Sequence, residues 1–314
     1  MPVTVTPTLP AAGPAKVLRL ARRDLALDGH ELGFLRETPA AGAAPQALRE
    51  RMAEDGYLLM RGLIARERVE AARRVVLEHL DAQGQVDRSH PLMDGYRAEG
   101  AKGGYFGGRR EVTHQPDFLN AVESPELADF WAAYFGEAPV TIEYKWLRAV
   151  AGGDATSPHY DVVYMGRGTR ERLFTCWIPL GDLTFDDGPL ALLAGSHRLP
   201  SYERIRQTYG NADADRDNIE TFFSHDPREI VQRYGGQWQT SEFRMGDVLI
   251  FGMFTMHGAV ANRGPRFRLS TDVRWQPASE PMDPRWIGAE PAGNYAWRKT
   301  PTEPLEVSRR KWGV

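Results

Sequence analysis

A histidine and an aspartate two residues apart, in the segment Thr156-Ser157-Pro158-His159-Tyr160-Asp161, are the side chains of this sequence best suited to chemistry. On a β-strand, that spacing points the imidazole and the carboxylate to the same face. A third candidate ligand, His257, lies about a hundred residues downstream. Two imidazoles and one carboxylate make the facial ligand set of non-haem Fe(II) oxygenases, which leaves open positions on the metal.

The sequence context strengthens this interpretation, because a single histidine is more often a hydrogen-bonded structural residue than a metal ligand. His159 follows a Gly-Gly turn, and His257 follows the apolar run Val248-Leu249-Ile250-Phe251, so both would lie at the mouth of a barrel. Arg268 comes eleven residues after His257, in the next predicted strand. An unpaired guanidinium buried there is costly. An internal Asp or Glu could pair with it, but a bound carboxylate explains the spacing better.

The elements that must position these residues form a helical half followed by a strand-rich half. Apolar residues at three- and four-residue spacings predict an amphipathic helix over residues 66–82, and Ser-Pro opens a second helix over 124–135. Alternating or continuous apolar runs predict strands over 56–63, 140–150, 172–180, 190–193, 247–253 and 267–275.

Short strands with Gly and Pro between them, preceded by helices, predict an α+β, mainly β fold: a jelly-roll barrel packed on a helical layer. We expect one domain over residues 1–314, with a loose N-terminal arm at 1–15. The polar segments 83–115 and 200–240 are predicted to be lids or insertions.

The composition favours a cytoplasmic enzyme with a small-molecule substrate. Hydrophobic residues make up 42% of the chain and charged residues 26%, and the net charge is −3. This balance gives no reason to expect nucleic acid or an anionic membrane as a partner. The single Cys176 excludes an internal disulfide, which suits a reducing compartment. The sequence gives no indication of the oligomeric state.

Six separated motifs between about residues 45 and 275 resemble the phytanoyl-CoA dioxygenase family in order and spacing. They occupy residues 55–63, 156–161, 188–197, 246–251, 257–262 and 268–270. The resemblance implies a double-stranded β-helix, the cupin-like jelly roll, that uses Fe(II), 2-oxoglutarate and O2. The implied reaction oxidises a C–H bond of a small organic molecule and releases succinate and CO2.

By matching position, the resemblance implies that His159, Asp161 and His257 bind iron and that Arg268 holds the distal carboxylate of 2-oxoglutarate. Three further positions are assigned to the co-substrate: Trp177 lining its pocket, and the hydroxyls of Thr156 and Ser270. Halogenating relatives replace the metal carboxylate with a small residue. This chain keeps Asp161, so halogenation is not expected.

Other side chains are weaker candidates. Lys145 either pairs with Glu143 or points into the barrel toward 2-oxoglutarate or an anionic substrate; since the chain has only five lysines, we assign it to the co-substrate. The candidates for substrate contact fall in two segments. Tyr105 and Phe106 lie between two glycine pairs, with His114 shortly after them, and Tyr164 and Arg167 follow Asp161.

Hydroxylation is the default outcome of the implied chemistry. Desaturation, epoxidation, cyclisation or epimerisation would follow if the substrate radical were held too far away for the hydroxyl group to rebound onto it. Two alternatives of other classes are a non-catalytic metal-binding cupin module and a Zn or Mn enzyme on the same barrel. Intact ligands oppose the first alternative, and the second has no need of Arg268. The sequence does not define the substrate.

Overall fold

The computed structural model describes residues 16–38, 43–153, 155–291, 293 and 301–314, so the predicted N-terminal arm at 1–15 lies outside the described residues. This part of the chain forms fourteen strands and nine α-helices. The strands are β1 (Val17–Leu20), β2 (Arg23–Ala26), β3 (Leu32–Phe34), β4 (Glu37–Thr38), β5 (Tyr57–Met60), β6 (Gly103–Tyr105), β7 (Pro139–Thr141), β8 (Trp146–Val150), β9 (Phe174–Pro179), β10 (Leu190–Ala194), β11 (Gln237–Thr240), β12 (Val248–Gly252), β13 (His257–Ala259) and β14 (Arg268–Pro277). The helices are α1 (Pro45–Asp55), α2 (Arg66–Ala82), α3 (Arg110–Thr113), α4 (Pro116–Val122), α5 (Pro125–Phe135), α6 (Val162–Met165), α7 (Glu203–Gln207), α8 (Pro227–Tyr234) and α9 (Leu305–Trp312).

Two sheets face each other across an apolar core, as a jelly roll requires. The larger sheet has the order β4-β5-β12-β9-β14-β8-β6, with β7 also paired to β14, and the smaller has the order β13-β10-β11-β3. Between the two sheets, Leu192 of the smaller one packs with three residues of the larger one: Leu59, Trp177 and Leu249. The predicted fold class is therefore confirmed, although the two sheets do not close into one continuous barrel.

The helical layer covers the other face of the larger sheet. Helix α2 buries Val69, Ala72, Val76 and Leu80, the apolar positions that predicted it, in one cluster with outward-facing strand residues such as Ile250. Strand β12 is covered on both faces, which explains why its sequence is a continuous apolar run rather than an alternating one.

Strand β14 positions most of the polar side chains near the predicted metal site. Its ten residues are all buried, and it pairs with β8 on one side and β9 on the other. Leu269 and Val273 pack into the helical layer. Because side chains alternate along a strand, Arg268, Ser270, Asp272, Arg274 and Gln276 face the interior between the sheets.

Three predicted segments differ from the structure. The strand expected over 140–150 is interrupted, since residues 142–145 leave the ladder between β7 and β8. Within the predicted lid 83–115, residues 103–105 form edge strand β6 beside β8. The predicted insertion 200–240 carries α7 and α8 but ends in β11, which pairs with β10.

Within the described ranges, no helix is both long enough and apolar enough to cross a lipid bilayer. The cytoplasmic location stays a prediction drawn from the single cysteine.

Candidate active site

His159, Asp161 and His257 meet in the interior, where their ligand atoms all lie within 4.8 Å of one another. The Nε2 atoms of His159 and His257 are 3.7 and 3.6 Å from Oδ1 of Asp161. All three residues are at most 6% exposed. Such a cluster of two imidazoles and a carboxylate suits one divalent cation.

The backbone that brings the three ligands together is not the regular strand that the sequence suggested for the His-x-Asp pair. His159 forms an isolated bridge to His257, with two backbone hydrogen bonds of 3.0 and 3.1 Å, and Asp161 directly precedes α6. Gly258 permits this close approach, because a Cβ atom there would lie 2.9 Å from the carbonyl oxygen of Thr156. Tyr160, between the two ligands, packs into the apolar core, and its hydroxyl donates to the carbonyl oxygen of Ser196.

Both imidazoles are oriented through their other ring nitrogen. Nδ1 of His159 donates to the carbonyl oxygen of Ser157 at 2.8 Å, and Nδ1 of His257 donates to that of Thr255 at 3.0 Å. With Nδ1 protonated, each Nε2 keeps its lone pair for a metal. Burial lowers the pKa of His159 to about 3 and also lowers the pKa of His257, so both rings are neutral, the form that binds metal.

Asp161 is fixed through the oxygen that does not face the histidines. Its Oδ2 accepts hydrogen bonds from Oγ1 of Thr175 at 2.7 Å and from Nη2 of Arg274 at 2.8 Å. Burial by itself raises the pKa of Asp161, but the net shift is downward, to which the positive charge of Arg274 and the hydrogen bond from Thr175 contribute. The carboxylate therefore stays ionised and presents Oδ1 to the metal position.

Two connected cavities reach this cluster. The larger, which we call the chamber, has a volume of about 430 Å³, and its lining combines polar groups with six aromatic rings: Tyr105, Tyr144, Trp146, Tyr164, Phe222 and Trp286. The second is narrower and extends past His257 and Trp177 to Arg268. Arg148, Thr156, His159 and Asp161 line both cavities, so the ligand cluster lies at their junction.

The side chains of the narrow pocket have the chemistry expected for 2-oxoglutarate, a chain with a carboxylate at each end. Arg268 is 3% exposed, and among the described residues its Nε is buried without a hydrogen-bond partner, while Nη1 donates to Ser270 at 2.7 Å. Burial, followed by the nearby charge of Arg148, lowers the pKa of Arg268 to about 10, so the guanidinium remains charged at neutral pH. A dicarboxylate that reaches from the metal position would supply the missing partner.

The structure brings most of the sequence-predicted site residues to these cavities. Thr156 lines both, Trp177 lines the narrow pocket, and Tyr105 and Tyr164 line the chamber. Ser270 accepts a hydrogen bond from Arg268 and does not line either of the two cavities.

Two cationic candidates lie away from the cavities, and the assignments made for them are corrected here. Lys145 is fully buried behind the sheet, where Nζ pairs with Glu123 at 2.6 Å, so it points neither to Glu143 nor to the co-substrate. Arg167 is held by both carboxylate oxygens of Asp213, at 2.6 and 2.8 Å, which leaves it no role as an anion contact.

Two ring residues predicted to contact substrate also lie elsewhere. Phe106 is 4% exposed in the helical layer, edge-on to His79, because β6 turns alternate residues to opposite faces. His114 interacts with Arg110 and Thr113 at the end of α3 and does not line the chamber.

The sequence reasoning missed three polar side chains near the ligands, those of Thr175, Asp272 and Arg274. Arg274 and Thr175 hold Asp161, and Asp272 pairs with Arg148. The available signal was the period-two row of polar residues in β14, which identifies a functional interior face in an otherwise apolar sheet.

Comparisons with known proteins agree with this site. The sequence profile described as Phytanoyl-CoA dioxygenase (PhyH) matches residues 52–270. A 1-deoxypentalenic acid 11-beta-hydroxylase of Streptomyces exfoliatus is 29% identical over 72% of this chain and 79% of its own length. The fold is shared with the non-haem alpha-ketoglutarate-dependent carbocyclase SnoK of nogalamycin biosynthesis (TM-score 0.55, 20% identity, 86% of this chain and 96% of that one). It is also shared with the epimerase SnoN in complex with Fe3+, alpha-ketoglutarate and nogalamycin RO (TM-score 0.54, 19% identity, 83% and 98%).

Proposed function

Because this chain belongs to the phytanoyl-CoA dioxygenase family, we propose that it hydroxylates a C–H bond of a small organic molecule bound in the chamber. It is an Fe(II)- and 2-oxoglutarate-dependent oxygenase. Iron, 2-oxoglutarate and O2 together supply the oxidising power, and the co-substrate leaves as succinate and CO2.

The observation that carries the proposal is the junction of two cavities at one ligand cluster. His159, Asp161 and His257 would hold the iron, and Arg268 would bind the far carboxylate of 2-oxoglutarate. The ring-lined chamber opens on the other side of the same cluster, so a bound molecule would present its C–H bond there with little water nearby. A non-catalytic module would not need a second cavity that ends at an unpaired guanidinium.

Hydroxylation is favoured over other outcomes by the hydroxylase among the sequence relatives. The carbocyclase and the epimerase share only the fold at about 20% identity, so they carry no reaction over to this chain. The name of the Streptomyces relative also suggests a cyclic carboxylic acid as a first compound to test.

The test is reconstitution with Fe(II), 2-oxoglutarate and O2, with succinate measured and a panel of cyclic organic acids, including 1-deoxypentalenic acid, analysed by mass spectrometry. We expect succinate that depends on Fe(II), and a product one oxygen atom heavier than its acid. His159→Gln should abolish both, whereas His114→Gln, the same change outside the site, should not. Succinate formation that survives His159→Gln and Asp161→Ala would refute the assignment.

A further inference from the structure

We propose that Arg148 anchors a carboxylate of the substrate, so that the enzyme acts on small organic acids. The inference rests on the function proposed above and adds the chemical class of its substrate. The narrow pocket is lined by Arg148 as well as Arg268, and the guanidinium assigned to 2-oxoglutarate there is that of Arg268.

Arg148 occupies the position that such an anchor requires. It lies on the interior face of β8, opposite Ser270 of β14, and lines both the chamber and the narrow pocket beside His159 and Asp161. Its side chain is 30% exposed and forms part of the wall of both cavities. The ring of Tyr105 lies over the guanidinium at 5.6 Å, which limits its movement.

Donors of Arg148 remain available for a ligand. Nη1 donates to Asp272, and within the described ranges that is the one hydrogen bond formed by its guanidinium. Arg274 has a different task, since Nη2 donates to Asp161 and Nη1 lies 3.8 Å from the same Asp272. Asp272 thus lies beside two cations, and among the residues that the structure describes no second carboxylate forms an ion pair with Arg148.

The charge balance of the two cavities calls for one more anion. Their linings carry four guanidinium groups, those of Arg110, Arg148, Arg268 and Arg274, against three carboxylates, those of Asp161, Asp272 and Glu290. Bound Fe(II) and the two carboxylates of 2-oxoglutarate cancel each other. One positive charge then remains in a region of low dielectric, where a monoanion is bound strongly.

The rest of the chamber suits the apolar body of such an acid. Tyr144, Trp146 and Trp286 contact one another with ring centroids 4.6 to 5.0 Å apart, and Phe222 forms part of another wall. A carboxylate at Arg148 and a hydrocarbon skeleton against these rings would hold the molecule in one orientation beside the metal ligands.

The experiment compares 1-naphthoate with 1-naphthamide, two probes with the same ring system of which only the first is charged. Binding to the protein loaded with Zn(II) and 2-oxoglutarate is measured by calorimetry, so that no turnover intervenes. We expect naphthoate to bind about tenfold more tightly than the amide, the low end for a charge-assisted hydrogen bond. Arg148→Met should abolish this preference, and Arg148→Lys should keep part of it. The control Arg167→Met, at an arginine outside both cavities, should keep all of it.

Because Arg148→Met removes the guanidinium that hydrogen-bonds to Asp272, the variant R148M/D272N, which removes both charges, provides a second version of the test. The proposal is overturned if wild type shows no preference for naphthoate, or if the preference survives both variants. It is also overturned if R148M loses affinity for 2-oxoglutarate as far as Arg268→Met does. If Fe(II)-dependent succinate formation is absent while the preference and its loss in R148M persist, the proposed oxygenase function fails and the anion site stands.

Discussion

Replacing Thr175 by valine isolates the hydrogen bond that prepares Asp161 for the metal, and we expect it to lower the affinity for Fe(II) about tenfold. Thr175 is fully buried in β9, and its hydroxyl donates to Oδ2 of Asp161 at 2.7 Å. Valine has nearly the same shape and cannot donate, so Asp161 would keep only its bond to Arg274. Loss of such a partner of a metal ligand costs about 10- to 100-fold in affinity, and the surviving bond argues for the lower end.

Thr175 is a sharper target than Arg274, although both donate to the same oxygen. Removal of Arg274 would also remove a buried positive charge that repels the cation, and the two effects oppose each other. Thr175→Val changes no charge, so the sign of its effect is defined. A tenfold loss corresponds to about 1.4 kcal/mol.

The assay is anaerobic competition for Fe(II) between the protein and a coloured chelator, with Thr175→Ser as the matched control that retains the hydroxyl. Thermal unfolding of the metal-free variants verifies that each is folded. Wild-type affinity for Fe(II) in a folded Thr175→Val protein would refute the view that this hydroxyl fixes the carboxylate. Equal losses in the serine and valine variants would assign the effect to packing instead.

Three further changes test other parts of the structure. Arg268→Met should weaken 2-oxoglutarate binding at least 100-fold in calorimetry without altering metal affinity, because a desolvated charge pair is lost; similar losses for both ligands would contradict separate roles. Ile250 of β12 is fully buried, so Ile250→Ala should lower the free energy of unfolding, measured in urea, by about 2–5 kcal/mol. The control Val17→Ala, at a residue 47% exposed, should change that free energy by less than about 0.5 kcal/mol. Since burial lowers the pKa of His159 from 6.5 to about 3, only the unfolded chain gains that proton as the pH falls below 6.5. The metal-free protein should therefore lose about 2 kcal/mol of stability between pH 7 and pH 5, and His159→Gln should show a smaller loss.

Local patterns in the sequence were sufficient for helices α2 and α5, for most strands of the larger sheet and for the central motif. Helix α2 has the predicted boundaries, and each predicted strand corresponds to at least one observed strand, because apolar periodicity and turn residues act over short distances. His159, Asp161 and His257 form the predicted cluster, with Arg268 in the adjoining pocket, because their residue types are specific to one chemistry and their spacing matches a known family.

The residues that sequence reasoning misplaced are those whose surroundings come from distant segments. Lys145 is neutralised by Glu123, from the end of α4, and nothing near Lys145 in the chain indicates that partner. Arg167 is likewise occupied by Asp213, forty-six residues away. Phe106 was assigned with Tyr105 to the same surface, yet neighbours on an edge strand face opposite sides. Each error concerns the direction of a side chain, which a one-dimensional pattern leaves open.

Strand β14 explains why fold and function are inseparable in this chain. An interior face with Arg268, Ser270, Asp272, Arg274 and Gln276 is a poor way to stabilise a sheet, since each buried polar group must recover its hydrogen bonds. Asp272 and Gln276 recover theirs from protein groups, yet Arg268 and Arg274 keep buried nitrogens without partners among the described residues. A strand that served only stability would carry apolar residues at these positions, as β12 does. We therefore interpret these nitrogens as hydrogen-bond donors whose acceptors are supplied by bound ligands.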